Sequence, residues 1–257
     1  MNDSGLDAWY LLSYCMGISK SRYYMIQDEV PDDDVICRYH ELISERSKRK
    51  PLQYITGSQE FMGLVFDVNE SVLIPRQDTE TVVECALRFC KGKKILDMCT
   101  GSGCIAVSIA VKGEPESVDA SDISEKALEV AGKNSAANGG DVSFIKSDIW
   151  DNITGEYDVV ISNPPYITAD EMKELMPEVG IYEPEAALYG GYDGLDIYRR
   201  IAAGADSHLK KEGYIFFEIG CRQAEAVSGI LMENGFCNIK TEKDLSGLDR
   251  VVWARKK

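Results

Sequence analysis

The spacing of apolar positions divides this 257-residue chain into a helical beginning and an alternating remainder. Leu6, Trp9, Tyr10, Leu12 and Tyr14 recur at helical intervals, and Val35, Ile36, Tyr39, Leu42 and Ile43 repeat the pattern. Asp32, Asp33 and Asp34, after Pro31, mark a helix start, where the partial positive charge of the helix end favours acids. Ser47-Lys48-Arg49-Lys50 supplies a basic helix end. These stretches predict a small helical bundle, and nothing in their composition requires it to be more than a packing accessory. Pro51 breaks the helical pattern. Over 59–68 apolar residues alternate around Gly63, which predicts a β-hairpin. Val72-Leu73-Ile74-Pro75-Arg76 then leads into a helix over 79–87.

From Lys94 onward strand and helix periods alternate. Strands are predicted at 95–96, 117–120, 142–145, 157–162, 214–219 and 251–254, and helices at 103–111, 125–138, 195–209 and 224–234. Such alternation builds a mostly parallel sheet covered on both faces, the α/β class. Ligands of such sheets bind beyond the carboxyl ends of the strands, where Asp97, Asp122 and Asn163 fall. The division expected is a helical domain over 1–57, a β-hairpin linker over 58–75 and an α/β domain over 76–257.

Composition narrows the classes. A hydrophobic share of 44% suits an ordinary soluble globular protein. No apolar run approaches the ~20 residues of a membrane span, and the acidic start lacks the form of a signal peptide. The eight cysteines include no C-x-x-C pair, so free thiols in a reducing cytosol are expected rather than a disulfide framework. With His40 and His208 the only histidines, zinc or a histidine-based triad is a poor fit. Lys+Arg of 28 against Asp+Glu of 43 gives a net charge of −15, which repels a phosphate backbone and favours a basic protein partner or a small molecule.

The chemistry concentrates at Asn163-Pro164-Pro165-Tyr166, directly after the apolar run Val159-Val160-Ile161. Two prolines cannot donate to a strand ladder, so the strand stops and its carbonyls stay free. Asn163 offers a side-chain carbonyl and amide, and Tyr166 a flat ring with a hydroxyl. The tetrapeptide is either a Pro-Pro turn ending a strand or a clamp for a small planar group bearing NH2. Asp97-Met98-Cys99-Thr100-Gly101-Ser102-Gly103 follows a strand and opens a helix. Gly101 and Gly103 permit a tight turn and close approach of a ligand. Asp122, at the end of the next strand, is placed to accept both hydroxyls of a ribose. The loop alone fits a dinucleotide, a nucleoside or a structural turn. An acid at Asp97 would repel a pyrophosphate and suits a ligand bearing an ammonium group, as S-adenosylmethionine does. Asp148, followed by Ile149, is either the residue that holds the adenine or a helix N-cap.

Asp97 with Thr100-Gly101-Ser102-Gly103, then Asp122, then Asn163-Pro164-Pro165-Tyr166 resemble the class I S-adenosylmethionine-dependent methyltransferases that act on planar amino nitrogens. Further stretches narrow the resemblance: Pro51-Leu52-Gln53-Tyr54-Ile55-Thr56-Gly57, Val72 to Arg76 followed by Glu80, and Tyr182-Glu183-Pro184 with Ala187-Leu188 and the glycine-rich stretch over 190–195. With the helical beginning they are similar to the HemK/PrmC family, which methylates a glutamine side-chain amide in peptide chain release factors. The resemblance implies a Rossmann-like methyltransferase domain over 76–257 and S-adenosylmethionine as methyl donor. It assigns Asp97, Cys99, Thr100, Gly101, Ser102, Gly103, Asp122, Asp148, Ile149 and Asn163 to the cofactor. Asn163, Pro164, Pro165 and Tyr166 go to the substrate, with Asn163, Pro164 and Tyr166 catalytic. It further implies a cytoplasmic, monomeric enzyme with release factors as partners, no membrane and no direct nucleic-acid contact. The family pattern has Leu-Gly where this chain has Met98-Cys99, so a Cβ is expected to crowd the ligand there. It also has Pro-Glu where this chain has Gln77-Asp78. The rival readings are a nucleic-acid amino methyltransferase with the same clamp, a nicotinamide-dependent oxidoreductase using the glycine loop, and a cofactor-binding scaffold without catalysis.

Overall fold

In the computed structural model, which describes residues 4–257, the helical spacing at the start of the chain becomes α1 (Ser4–Met16), α2 (Lys20–Ile26), α3 (Asp33–Ser47) and α4 (Leu52–Thr56). Asp32 is the N-cap of α3, as its acidic run implies. Leu11, Leu42 and Ile55 form the small core that joins α1, α3 and α4. Pro51 does not end helical structure. It caps α4, which stops at Gly57 in the left-handed conformation at φ 79°. The hairpin follows as β1 (Ser58–Phe61) and β2 (Leu64–Asp67), with Phe61 and Phe66 edge to face at 6.0 Å.

The remainder runs α5 (Gln77–Leu87), β3 (Lys94–Met98), α6 (Cys104–Lys112), β4 (Ser117–Asp122), α7 (Glu125–Asn138), β5 (Ser143–Lys146) and β6 (Tyr157–Ser162). After a long connection come α8 (Pro177–Tyr182), α9 (Asp196–His208), β7 (Leu209–Glu218), α10 (Ala224–Glu233), β8 (Phe236–Lys243) and β9 (Asp249–Lys256). The main sheet has the order β5-β4-β3-β6-β7-β9-β8. Pairs from β5 through β7 are parallel, and β9 pairs antiparallel with both β7 and β8. One core lies under α5 and α6, built on Val82, Ile105 and Ile161; the other lies under α9 and α10, built on Tyr198, Phe217 and Leu231.

Helices α4 and α8 were not expected, and two strands also depart from the sequence reading. β8 was not expected, because its alternation is broken. Asn238 takes φ 53° and the register slips between Cys237 and Lys240, so Phe236 and Ile239 no longer sit two apart. Its outer position also lets polar residues dominate, as an edge strand requires. β7 starts at Leu209, earlier than the apolar run at 214, through a polar stretch with Glu212 at φ 64°. The sheet's centre places the ends of β3, β4, β6 and β7 side by side, and the site lies there.

Candidate active site

A cleft of about 320 Å³ opens beyond the carboxyl ends of β3, β4 and β6. Cys99, Thr100, Gly101, Ser102, Asp122, Asp148, Ile149, Asn163 and Pro165 line it, so most of the residues expected around one ligand are brought together. Asp97, Gly103, Pro164 and Tyr166 are not among the lining residues.

Asp97 is wholly buried beneath the glycine loop. Its Oδ2 accepts from the Thr100 hydroxyl at 2.6 Å and from the Ala106 N–H at 3.2 Å, while its Oδ1 has no partner. Burial pushes its carboxyl up to about 7 against the opposing pull of those two bonds. Gly103 sits at φ 80°, and a Cβ there would come within 3.0 Å of the Ala131 Cβ on α7, so both conformation and packing demand glycine. Gly101 instead faces open space in the cleft wall. Its N–H donates to Asp122 Oδ2 at 2.9 Å, and the Ser124 N–H donates to Oδ1 at 2.9 Å. Burial raises the Asp122 carboxyl as well. The Asn134 side chain ties this loop to the hairpin, donating to Ser102 O at 2.8 Å and to Asp67 O at 3.0 Å.

Cys99 and Ile149 line the cleft in left-handed backbone, at φ 60° and 53°. Burial raises the Cys99 thiol well above its ordinary value and pushes Cys104 up to about 12, so neither is a nucleophile at neutral pH. Asp148 lies two residues past the end of β5 and pairs with Arg200 at 2.9 Å. No helix starts there, which removes the N-cap alternative.

Asn163 follows β6 immediately, and its Nδ2 donates to Thr79 Oγ1 on α5 at 3.4 Å. That bond leaves the side-chain carbonyl as the group available to a ligand. Pro164 is buried. Tyr166 packs against the sheet core, and the buried Glu218 carboxylate raises its hydroxyl's pKa further above the level that burial sets. The chain then folds back on itself: the Ile167 N–H donates to Leu188 O at 2.9 Å and the Gly190 N–H to Ile167 O at 3.0 Å. A Cβ on Gly190 would stand 2.5 Å from Pro165 O, so only glycine lets this strap lie on the tetrapeptide.

Arg76 of the recognised stretch and Arg250 of β9 are bound into the fold. Arg76 lines the cleft and pairs with buried Glu183, which also accepts the Ile74 N–H at 3.4 Å. Glu80 accepts the Met62 N–H at the hairpin turn at 2.5 Å. Arg250 is buried on Asp244 at 3.1 Å and also pairs with Asp78 at 3.2 Å.

Known proteins share the sequence and the fold of this chain. Residues 1–57 match the PrmC N-terminal domain and residues 77–183 the Methyltransferase small domain. A release factor glutamine methyltransferase of Geobacter sulfurreducens is 40% identical over 257 residues, covering 99% of this chain and 90% of that protein. Its namesake in Clostridium acetobutylicum is 43% identical, over 96% of this chain and 90% of its own length. The chain belongs to the release factor glutamine methyltransferase family. Among solved structures, a methyltransferase from Pyrococcus furiosus shares the fold at a TM-score of 0.61 and 17% identity, covering 83% of this chain and 98% of that one.

Within that family framework, several cleft residues had not been singled out. Thr79, Arg200 and Tyr189 line the cleft from α5, α9 and the strap. Glu218 stands at the carboxyl end of β7, 2% exposed, and burial pushes its carboxyl up to about 7. The signal that picked out Asp97 and Asp122, an acid ending a parallel strand, applies equally to Glu218.

Proposed function

We propose that the protein transfers a methyl group from S-adenosylmethionine to the side-chain amide nitrogen of the Gly-Gly-Gln glutamine in peptide chain release factors, and so acts on translation termination. The observation that carries this reading is Asn163, standing in the wall of the cleft that holds the glycine loop, with its Nδ2 tied to Thr79. Family membership supplies the substrate class.

The residues present fit the methyl donor. Asp97 keeps an unpartnered buried oxygen beneath the glycine loop. We assign Asp122 to the ribose hydroxyls, Asp148 and Ile149 to the adenine, and the loop Asp97, Cys99, Thr100, Gly101, Ser102 and Gly103 to the amino-acid end, with Asn163 at the border. When bound, the donor supplies an electrophilic methyl group on a sulfonium. The protein's task is the other partner. An amide lone pair is delocalised into its carbonyl, so the nitrogen is a poor nucleophile. The Asn163 side-chain carbonyl and the Pro164 backbone carbonyl accept its two N–H bonds and point the lone pair at the methyl. Orientation of this kind supplies roughly 7–11 kcal/mol when geometry is close to attack. The same oxygens stabilise positive charge growing on nitrogen. Pro165 completes the wall, and Tyr166, packed on the sheet core behind it, is assigned to hold the tetrapeptide in place. The proton leaves to water.

The units assigned are the helical domain over 1–57, the hairpin linker over 58–75 and the catalytic domain over 76–257. Arg46 and Arg49 of the first pair with Glu178 of α8 at 3.3 and 2.6 Å, and the Tyr182 hydroxyl donates to Lys48 O at 2.9 Å. These bonds set the helices beside the strap, where a protein substrate would approach. A net charge of −15 favours a basic protein over nucleic acid. No helix among the described residues is long and apolar enough to cross a membrane. We assign the enzyme to the cytoplasm, as a monomer.

The test is transfer of labelled methyl from S-adenosylmethionine to a purified release factor, with a Gly-Gly-Gln glutamine-to-alanine control. Label on the intact factor and none on the control is expected. Label on RNA or DNA instead would overturn the substrate and leave the fold.

A further inference from the structure

We propose that Arg200 is a positioning residue for the base of the methyl donor, holding one oxygen of Asp148 so that the other reads the exocyclic amine of adenine. The inference rests on the assignment of Asp148 to that adenine. Arg200 of α9 and Asp148, just past β5, reach the cleft from two elements and pair there at 2.9 Å. Arg200 is the one charged partner of Asp148 among the described residues, and its guanidinium approaches Oδ1. That leaves Oδ2 to a ligand. The neighbouring Arg199 is engaged outside this pair, by Asp193 and Asp196.

The pair contributes little to the fold. Its side chains are 47% and 41% exposed, and ion pairs this open to solvent are weak. What fixes the end of β5 to α9 is Trp150, two residues on. Its Nε1–H donates to Ile201 O at 3.0 Å, and its ring stacks on His208 at 4.7 Å. Gly204 lies so close to the indole that a Cβ there would collide with Trp150 Cδ1. The frame that presents Arg200 to the cleft therefore does not depend on Arg200.

The surroundings suit a flat base. Ile123, Ile149 and Ile197 line the same cleft, and Ile123 is a large apolar side chain that the fold leaves 58% exposed. Ile123 follows Asp122, so the apolar lining begins where the ribose assignment ends. Apolar walls with a few placed polar groups are how such sites hold and orient a ring. A carboxylate only accepts hydrogen bonds, whereas the adenine amine donates them. Hypoxanthine carries a carbonyl oxygen at that position, which would set two acceptors against each other at Oδ2. Held by Arg200, Asp148 cannot turn away from that clash. Without Arg200 it can, so selectivity for the amine belongs to the pair and not to Asp148 alone.

The experiment is the calorimetric affinity of the full chain for S-adenosylhomocysteine and for its deaminated counterpart, S-inosylhomocysteine. Wild type, Arg200→Ala, Arg200→Lys, Asp148→Asn and the double variant Arg200→Ala with Asp148→Asn are compared. Wild type is expected to bind the adenine compound about a hundredfold more tightly. Arg200→Ala weakens S-adenosylhomocysteine about tenfold and the deaminated compound far less, so the preference shrinks to about tenfold. Arg200→Lys, which keeps the charge, keeps most of the preference. Asp148→Asn removes it, because a carboxamide can donate to the carbonyl oxygen. Adding Arg200→Ala to Asp148→Asn then costs S-adenosylhomocysteine no more than about twofold. A preference undiminished in Arg200→Ala but lost in Asp148→Asn would overturn the role of Arg200 and leave Asp148 on the adenine. A wild type that binds both compounds alike would overturn the adenine assignment and the inference with it. No binding of S-adenosylhomocysteine would overturn the methyl-donor reading itself. If Arg200→Ala shows no folded circular dichroism, Arg200→Met takes its place: a reduced preference upholds the proposal and an undiminished one overturns it.

Discussion

Asp97 and Glu218 end strands on either side of β6, and both are buried carboxylates with one oxygen unpartnered, pushed up to about 7. Their partners differ. Asp97 is satisfied by Thr100 and by the Ala106 N–H, both close in sequence, so it shapes one loop. Glu218 feels Thr79, Tyr166 and Arg250, which come from three stretches distant in sequence. The first half of the cleft is organised locally and the second by tertiary structure. In the function proposed, the first half holds the methyl donor and the second the acceptor.

The largest effect expected of that separation is at Asn163. Asn163→Ala should lower kcat by about 10²–10³-fold, the cost of one lost polar contact to a transition state. Equilibrium affinity for S-adenosylmethionine should move by less than about threefold, measured by calorimetry. Comparable losses in both would merge the two halves.

Asp97→Ala should reverse the pattern. It strips the Thr100 hydroxyl and the buried Ala106 N–H of their acceptor, a loss of about 1–3 kcal/mol in stability. Cofactor affinity should weaken by more than about tenfold, with a smaller change in kcat at saturating cofactor. Denaturant melts and a binding isotherm on the same preparation check both. An Asp97→Ala protein that binds normally would make the loop merely structural.

The two carboxylates also give stability a pH slope of defined sign. Each has a folded value near 7, above the unfolded value near 4, so the folded state holds the extra proton between them. Their contribution is complete below about pH 4 and is lost as pH rises through about 7. Stability from this source should fall by about 2 kcal/mol per carboxylate between pH 5.5 and 8. Asp97→Asn and Glu218→Gln should each flatten the slope, read from denaturant midpoints. Asp122 and Glu183, raised chiefly by burial, act in the same direction and remain in both variants.

The same contrast explains what the sequence disclosed. The glycine loop, Asp122 and the tetrapeptide were readable because their residues lie within a few positions of each other at predicted strand ends. The alternation from Lys94 onward exposed the parallel sheet, and α7 and β6 appear at the bounds expected. Thr79 was hidden inside a predicted helix, and its meaning depends on Asn163 lying 84 residues away. Arg76 and Glu183, both in recognised stretches, had no visible relation until folding brought 107 residues of chain together. β8 failed for a local reason, since Asn238 interrupts the two-residue period that identifies a strand.

Cys99 offers the smallest effect and the finest test of the locally organised half. It stands at φ 60° in the cleft wall where the family pattern has glycine. A side chain in left-handed backbone costs roughly 1–2 kcal/mol. Glycine removes that cost but adds unfolded-state entropy of roughly 0.4–1 kcal/mol and forfeits the buried thiol. Stability of Cys99→Gly should therefore stay within about 1 kcal/mol of wild type. The affinity for S-adenosylmethionine should rise a few-fold, because the Cβ leaves the ligand's side of the loop. Cys99→Val should do the opposite, since a β-branched residue tolerates positive φ least and adds bulk to the same wall. If Cys99→Gly binds more weakly while Cys99→Val binds normally, the thiol is a contact that the ligand uses and not an obstruction.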